Sequence, residues 1–291
     1  MNYSIENEFL KITVSRLGAE LVSVVSKDDG CEYIWQGESG CWGGHSPVLF
    51  PFCCRLFDGY YTYKGEKHVS GIHGFARAND FNEVNVEDGV ISMSLYSNEK
   101  LKELYPFDFK LTVSYKLEEK RVRFGIDVEN TGDEEMIFTE GFHPGFNLPM
   151  GDTEFEDWYI EFDCEKTPDR ILFSDACFCT GSTAPYNLKN GKILPLSYDI
   201  FDSSGIFLKN HCKYLTLKSQ KSTKSVRIEC PDFKYLGFWH ERGKISSFIC
   251  IEPMNGLPSL DGKVDDLTEK TDMSRVSPKN TCSFGFDLII G

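Results

Sequence analysis

The chain has 291 residues, with 31 Lys or Arg against 45 Asp or Glu, and a formal charge of −14. Hydrophobic residues make up 41 % and aromatics 14 %, enough for a sizeable core and rich in strand-favouring side chains. No basic stripe gathers the cations needed to displace counterions from nucleic acid or to meet an anionic membrane, so neither partner is expected. The opening MNYSIENEFLKITVSR has no apolar leader or cleavage signal, and nowhere do roughly 18 apolar residues run together, so cytoplasmic localisation is expected. The 11 cysteines are irregularly spaced, without a CxxC pair, and read as small, reduced, buried side chains.

Period-two alternation dominates the chain in order. Leu10 to Ser15 is the first such run, and Ile91, Met93 and Leu95 alternate with Ser92 and Ser94. Ser97 to Tyr105 reads as a short helix, with Ser97 as its cap and Pro106 as its stop. In Phe109 to Leu117 every second residue is apolar, and after the polar turn Glu118-Glu119-Lys120 the pattern resumes at Val122, Phe124, Ile126 and Val128. Further runs are Trp158–Phe162, Leu215–Leu217, Val226–Cys230 and Phe284–Ile290, while Asp265 to Thr271 is a second, weaker helix candidate. Alternation of this kind marks strands with one face in a core and the other in water, which antiparallel sheets allow. No βαβ alternation, repeat or linker appears. The expected fold class is therefore all-β, with residues 1–291 forming one domain of two large packed antiparallel sheets and a few short helices.

Four segments break this pattern. Arg55 follows the apolar, proline-punctuated run Ser46 to Cys54, where a charge must find a partner or line a cleft. His73 lies between Gly71 and Gly74, which let backbone approach a ligand closely. His143 sits in Glu140-Gly141-Phe142-His143-Pro144-Gly145, and Pro144 biases it toward an extended conformation. Glu252 closes the apolar run Phe248-Ile249-Cys250-Ile251, where burial raises a carboxyl pKa into the range useful for proton transfer. Trp239 and His240, just upstream, offer an aromatic wall. The same residues leave other chemistries open. The two histidines and Glu252 form a possible zinc set, though without chelate spacing. Cys53 or Cys54 beside a histidine forms a possible nucleophile, although apolar surroundings oppose a thiolate.

In their order these segments resemble the aldose 1-epimerase (galactose mutarotase-like) superfamily, and most closely its bacterial branch with no firmly assigned sugar. The shared features run nearly end to end: Gly18-Ala19-Glu20-Leu21, Glu32-Tyr33-Ile34-Trp35, the Pro47-to-Gly59 run, His73-Gly74-Phe75-Ala76-Arg77, Tyr105-Pro106-Phe107-Asp108-Phe109, His143-Pro144 with Phe146-Asn147, and Ile251-Glu252-Pro253. The resemblance implies a large antiparallel β-supersandwich that interconverts the α and β anomers of an aldohexose. It implies Glu252 as base and His143 as acid, with neither cofactor nor metal. Arg55, His73, Arg77, Asn147 and Trp239 are the expected sugar-binding residues, and the family's sugar-binding Asp is placed at Asp202. Cys54 precedes Arg55 where characterised galactose mutarotases carry Asn, and Met254 follows Glu-Pro where an aromatic residue is usual. Expected partners are a small sugar and at most a second copy of the chain, as monomer or homodimer. A hexose-6-phosphate epimerase and an idle sugar-binding sensor are the alternatives.

Overall fold

The computed structural model describes residues 1–38, 40–164, 166–203 and 205–291. A nine-stranded antiparallel sheet is centred on Phe109–Glu118, Arg121–Asn130 and Thr281–Ile290, each ten residues long. Phe109, Leu111, Val113, Tyr115 and Leu117 are all buried, as their alternation requires. Glu119, in the left-handed region at φ 50°, turns the chain so that Arg121 pairs with Glu118.

The second large sheet has eight strands, also antiparallel, and includes Ile206–Lys209, Tyr235–Trp239, Phe248–Met254 and Gly141–Phe142. The two sheets face each other across an aromatic core. Phe142 of the second sheet stands 5.6 Å from Phe124 and 4.9 Å from Phe286 of the first, and Phe162 lies 5.6 Å from Phe238. Edge-on and tilted rings at such distances fill the gap between twisted sheets. Two smaller three-stranded sheets and one strand pair complete the architecture. None of the described helices is long and apolar enough to cross a membrane.

Two local expectations need correction. The short helix spans Glu99–Leu104, but Asn98 caps it, its side chain accepting from Leu101 N at 3.0 Å. Ser97 is tied instead to the following strand, since its hydroxyl accepts from Phe109 N at 3.2 Å. The second candidate helix is absent: Asp265–Asp266 is a strand paired with Tyr60–Tyr63, and the Asp266 carboxylate accepts from Thr268 N and Oγ1. A side chain that satisfies nearby backbone in this way competes directly with helix formation.

The strand Phe248–Met254 positions the site. All seven of its residues are buried. Ile249 and Ile251 point into the core between the sheets, whereas Phe248 and Cys250 face outward into a cluster with Trp35, Trp42 and Trp239. This face of the sheet is roofed by loops, so the strand reads as continuously apolar rather than alternating. Glu252 shares the outward parity of Phe248 and Cys250.

Candidate active site

Glu252 pairs in register with Gly237. A Cβ on Gly237 would stand 3.2 Å from Glu252 Cβ and Oε2, so the glycine makes room for the carboxyl group. Glu252 Oε1 is buried with no hydrogen bond, and burial pushes the carboxyl pKa up to about 8. His143 lies between the short strands Gly141–Phe142 and Gly145–Asn147. Phe142 enters the inter-sheet core, so the next residue turns to the outer face, and His143 N donates to Pro47 O at 3.0 Å. His143 Nε2 approaches Glu252 Oε1 to 3.3 Å, and its Nδ1 is buried without a partner. Burial chiefly, with Arg77 adding to it and a backbone contact opposing it, brings the His143 pKa down to about 4.

These two shifts have one consequence. Between about pH 4 and pH 8 the pair holds one proton. A protonated carboxyl beside neutral imidazole and a carboxylate beside imidazolium are then two arrangements of that same proton. The second arrangement is a base and an acid side by side, with both side chains buried.

His73 is held from both sides. Its N–H donates to Cys54 O at 2.7 Å, and Cys54 N donates to His73 Nδ1 at 3.0 Å, which leaves Nε2 as the protonated nitrogen. Cys54 and His73 have φ of 61° and 64°, strained for residues with a side chain. Gly74 follows at φ 68°, where a Cβ would stand 2.3 Å from Phe50 O, so only glycine fits this turn. The His73 ring meets that of His143 edge-on at 5.3 Å. Burial, then the charges of His143, Arg77 and Arg55, pushes its pKa well down, so it is a neutral hydrogen-bond donor. Burial also pushes the thiols of Cys53 and Cys54 upward, away from a nucleophilic thiolate.

Trp42 and Trp239 wall the cleft, with ring centroids 5.0 and 5.7 Å from that of His143. The cleft encloses about 400 Å³, within the range of small-ligand sites. Six expected residues line it together: Arg55, His73, Arg77, His143, Trp239 and Glu252. Two do not. Asn147 donates its side-chain amide to Glu32 O at 2.9 Å and pairs in the sheet with Phe248, so it ties the segment around Tyr33 to the sheet instead of facing the cleft. Asp202 is exposed at the end of the 3-10 turn Tyr198–Phe201; its neighbours Phe201 and Ser203 line the cleft, and it does not. Sequence reasoning missed Trp42, Phe173, Phe207 and Arg242, all lining residues. Trp42 before Gly43-Gly44 carried a usable signal, an aromatic beside backbone that can bend sharply. Arg242 carried none, because its hairpin loop is defined only once the strands on either side of it pair.

The sequence profile of the aldose 1-epimerase family matches residues 1–258 of the chain. The plasmid-encoded protein LacX of Lactococcus lactis subsp. lactis is 31% identical over 100% of this chain and 99% of its own length. A crystal structure described as a galactose mutarotase related enzyme, from Lactobacillus acidophilus, superposes with a TM-score of 0.94 at 34% identity, over 100% of this chain and 97% of that one. A galactose mutarotase-like protein from Lactobacillus casei superposes with a TM-score of 0.95 at 28% identity, over 100% of both chains.

Proposed function

The chain belongs to the aldose 1-epimerase family, and on that premise we propose that it interconverts the α and β anomers of an aldose through Glu252 and His143. The observation that carries this reading is the 3.3 Å approach of His143 Nε2 to Glu252 Oε1, with both side chains buried at the floor of one cleft.

The Glu252 carboxylate takes the proton of the C1 hydroxyl. The electron pair freed from that O–H bond forms the C1 carbonyl, the bond from C1 to the ring oxygen breaks, and the His143 imidazolium protonates that oxygen. Rotation about C1–C2 presents the other carbonyl face, and the same two groups, now in reversed roles, close the ring. The single proton shared by the pair is returned at the end of each cycle. Trp42 and Trp239 offer faces for the apolar side of the sugar, and His73 and Arg77 offer donors for hydroxyls beside the reacting carbon. Family membership supports isomerase chemistry, and the burial of Glu252 supports its choice as base.

Polarimetry of freshly dissolved α-D-glucose, α-D-galactose and their 6-phosphates tests the reading. The native chain is expected to accelerate mutarotation of at least one, and Glu252→Gln to lose about 10²- to 10⁴-fold of that rate, the usual worth of one acid–base group. If native protein and Glu252→Gln behave alike on all four sugars, the reading is wrong. Saturable sugar binding with no acceleration would indicate a sensor in its place.

A further inference from the structure

One buried ion pair takes no part in the proton transfer. Lys270 Nζ stands 3.3 Å from Asp265 Oδ2, and each side chain is only 7 % exposed. Among the described residues, His143–Glu252 is the one other pair in which both partners are more than nine-tenths buried. Dehydrating two charges costs about as much as their attraction returns, so stability alone is a weak reason for such a pair. Asp265 belongs to the short strand Asp265–Asp266, opposite Tyr61, and does not line the cleft. What it does hold is Ser259.

Ser259 is fully buried, and each of its polar groups is used. Its hydroxyl donates to Asp265 Oδ2 at 2.5 Å and accepts from Phe57 N at 2.9 Å. A carboxylate paired with Lys270 can only accept, so it fixes the direction of the hydroxyl proton and leaves the oxygen lone pairs to Phe57. Ser259 N donates to Arg55 O at 3.1 Å, and Ser259 O accepts from Cys179 N at 3.0 Å. Two of these bonds grip the chain at Arg55 and Phe57, on either side of Leu56. Another ties down the strand Cys179–Pro185 directly after Phe178. Phe57 meets the Phe178 ring at 5.2 Å, and the Arg55 guanidinium rests near it at 5.9 Å. On the opposite flank His73 bonds both N and O of Cys54, whose φ of 61° needs such support. Arg55 thus combines an exposed side chain, aimed into the cleft, with a backbone clamped from both directions.

We propose that Ser259, oriented by the buried Asp265–Lys270 pair, is a positioning residue for Arg55, fixing the backbone from which the guanidinium reaches a sugar hydroxyl. This rests on the mutarotase reading and adds to it a residue that never meets the sugar: Pro258 lines the cleft and Ser259 does not. A long, unpaired arginine side chain loses rotamer freedom when a ligand orders it, and a rigid backbone keeps that loss from growing. Serine suits the place because one small hydroxyl donates and accepts at once. Alanine there would leave Phe57 N without its acceptor and Asp265 without a donor, and would free the segment that carries Arg55.

The test uses Ser259→Ala, Ser259→Thr, Arg55→Gln and the combination of Ser259→Ala with Arg55→Gln, on the aldose turned over best. Arg55→Gln is expected to raise KM and the calorimetric Kd by roughly 10- to 100-fold, the worth of a hydrogen bond from a charged donor. Ser259→Ala is expected to raise both by about 5-fold, with kcat and its pH dependence unchanged, whereas Ser259→Thr, which keeps the hydroxyl, stays near native. In the Arg55→Gln background Ser259→Ala is expected to add nothing, since its effect passes through Arg55. A folded Ser259→Ala with native KM and Kd, or one whose effect persists in full without Arg55, overturns the proposal and leaves the mutarotase reading standing. Should Ser259→Ala fail to fold, amide exchange in the native chain decides. The Phe57 and Ser259 amides are expected to exchange as slowly as those of the central strand Phe109–Glu118. Fast exchange by local opening at either one overturns the proposal. Neither turnover nor binding of any sugar removes the mutarotase reading, and this proposal with it, because Arg55 then has no sugar contact to make.

Discussion

Glu252 is a carboxyl group with no hydrogen-bond donor at Oε1 and an imidazole 3.3 Å away. Burial opposes charge on both, raising the acid to about 8 and lowering the histidine to about 4. The pair is competent for acid–base work only while it holds one proton. As pH falls through about 4 a second proton enters and the base is lost; as pH rises through about 8 the last proton leaves and the acid is lost. The expected kcat/KM profile is thus a bell whose limbs belong to the pair, broad and centred near neutrality. A profile that stays flat from pH 4 to pH 9 would contradict it. At this scale the sequence was informative where a polar residue interrupts an apolar run, as Glu252 and His143 do. Asn147 and Asp202, expected from the family resemblance, do not line the cleft: one is tied to Glu32 and the other ends an exposed turn.

The segment from Thr139 to Asn147 shows how an element carries a site. Glu140, fully buried, accepts from Asn255 Nδ2 at 2.5 Å and from Ser274 Oγ at 3.3 Å, and Asn255 N donates to Glu140 O at 2.9 Å. These bonds fix the entry of the strand Gly141–Phe142, which precedes His143, against the exit of the strand that carries Glu252. Burial, opposed by those bonds, pushes the Glu140 pKa up from 4.5 to about 7. Its folded-state pKa lies above the unfolded one, so folding keeps a proton that the unfolded chain sheds. Stability from this group is full below about 4.5, declines as pH rises to about 7, and is constant above. Glu140→Gln removes the titration. Its stability relative to the native chain is expected to improve, on going from pH 4.5 to pH 8, by on the order of 3 kcal/mol. Urea unfolding at the two pH values measures this, and a difference that does not change with pH would refute it. The long strands were legible because one of their faces meets water and the pattern alternates. The roof of the cleft was not, because Trp42, Phe173, Phe207 and Arg242 come from loops and strand faces whose meeting depends on the pairing of the whole sheet.

Across the whole molecule the two sheets divide the labour. A core running from Leu10 to Ile290 is packed between them, with Phe142 bridging to Phe124 and Phe286. That core consumes the inward face of the second sheet and leaves its outward face to the cleft. The strand Phe248–Met254 serves both: Ile249 and Ile251 anchor it inside, and Glu252 is presented outside on a backbone that packing holds in place. The all-β, two-sheet architecture could be read from alternation, whereas the side of the sheet on which the cleft opens could not, since both faces are apolar there. Charge follows the same division. The chain is acidic, with Arg121 and Arg275 among the arginines paired to carboxylates, while Arg55, Arg77 and Arg242, which have no ion pair among the described residues, line the cleft.

The central claim is that Glu252 and His143 act as one proton-transferring unit. A double-mutant cycle of anomerisation rates tests it most directly, using Glu252→Gln, His143→Gln and the combined variant on the sugar turned over best, with unfolding curves to confirm that each is folded. Each single substitution is expected to lower the rate by about 10²- to 10⁴-fold, and the combination to lower it little further, because both groups serve the same transition state. A single variant that keeps the native rate, or losses that multiply in the combined variant, would contradict it.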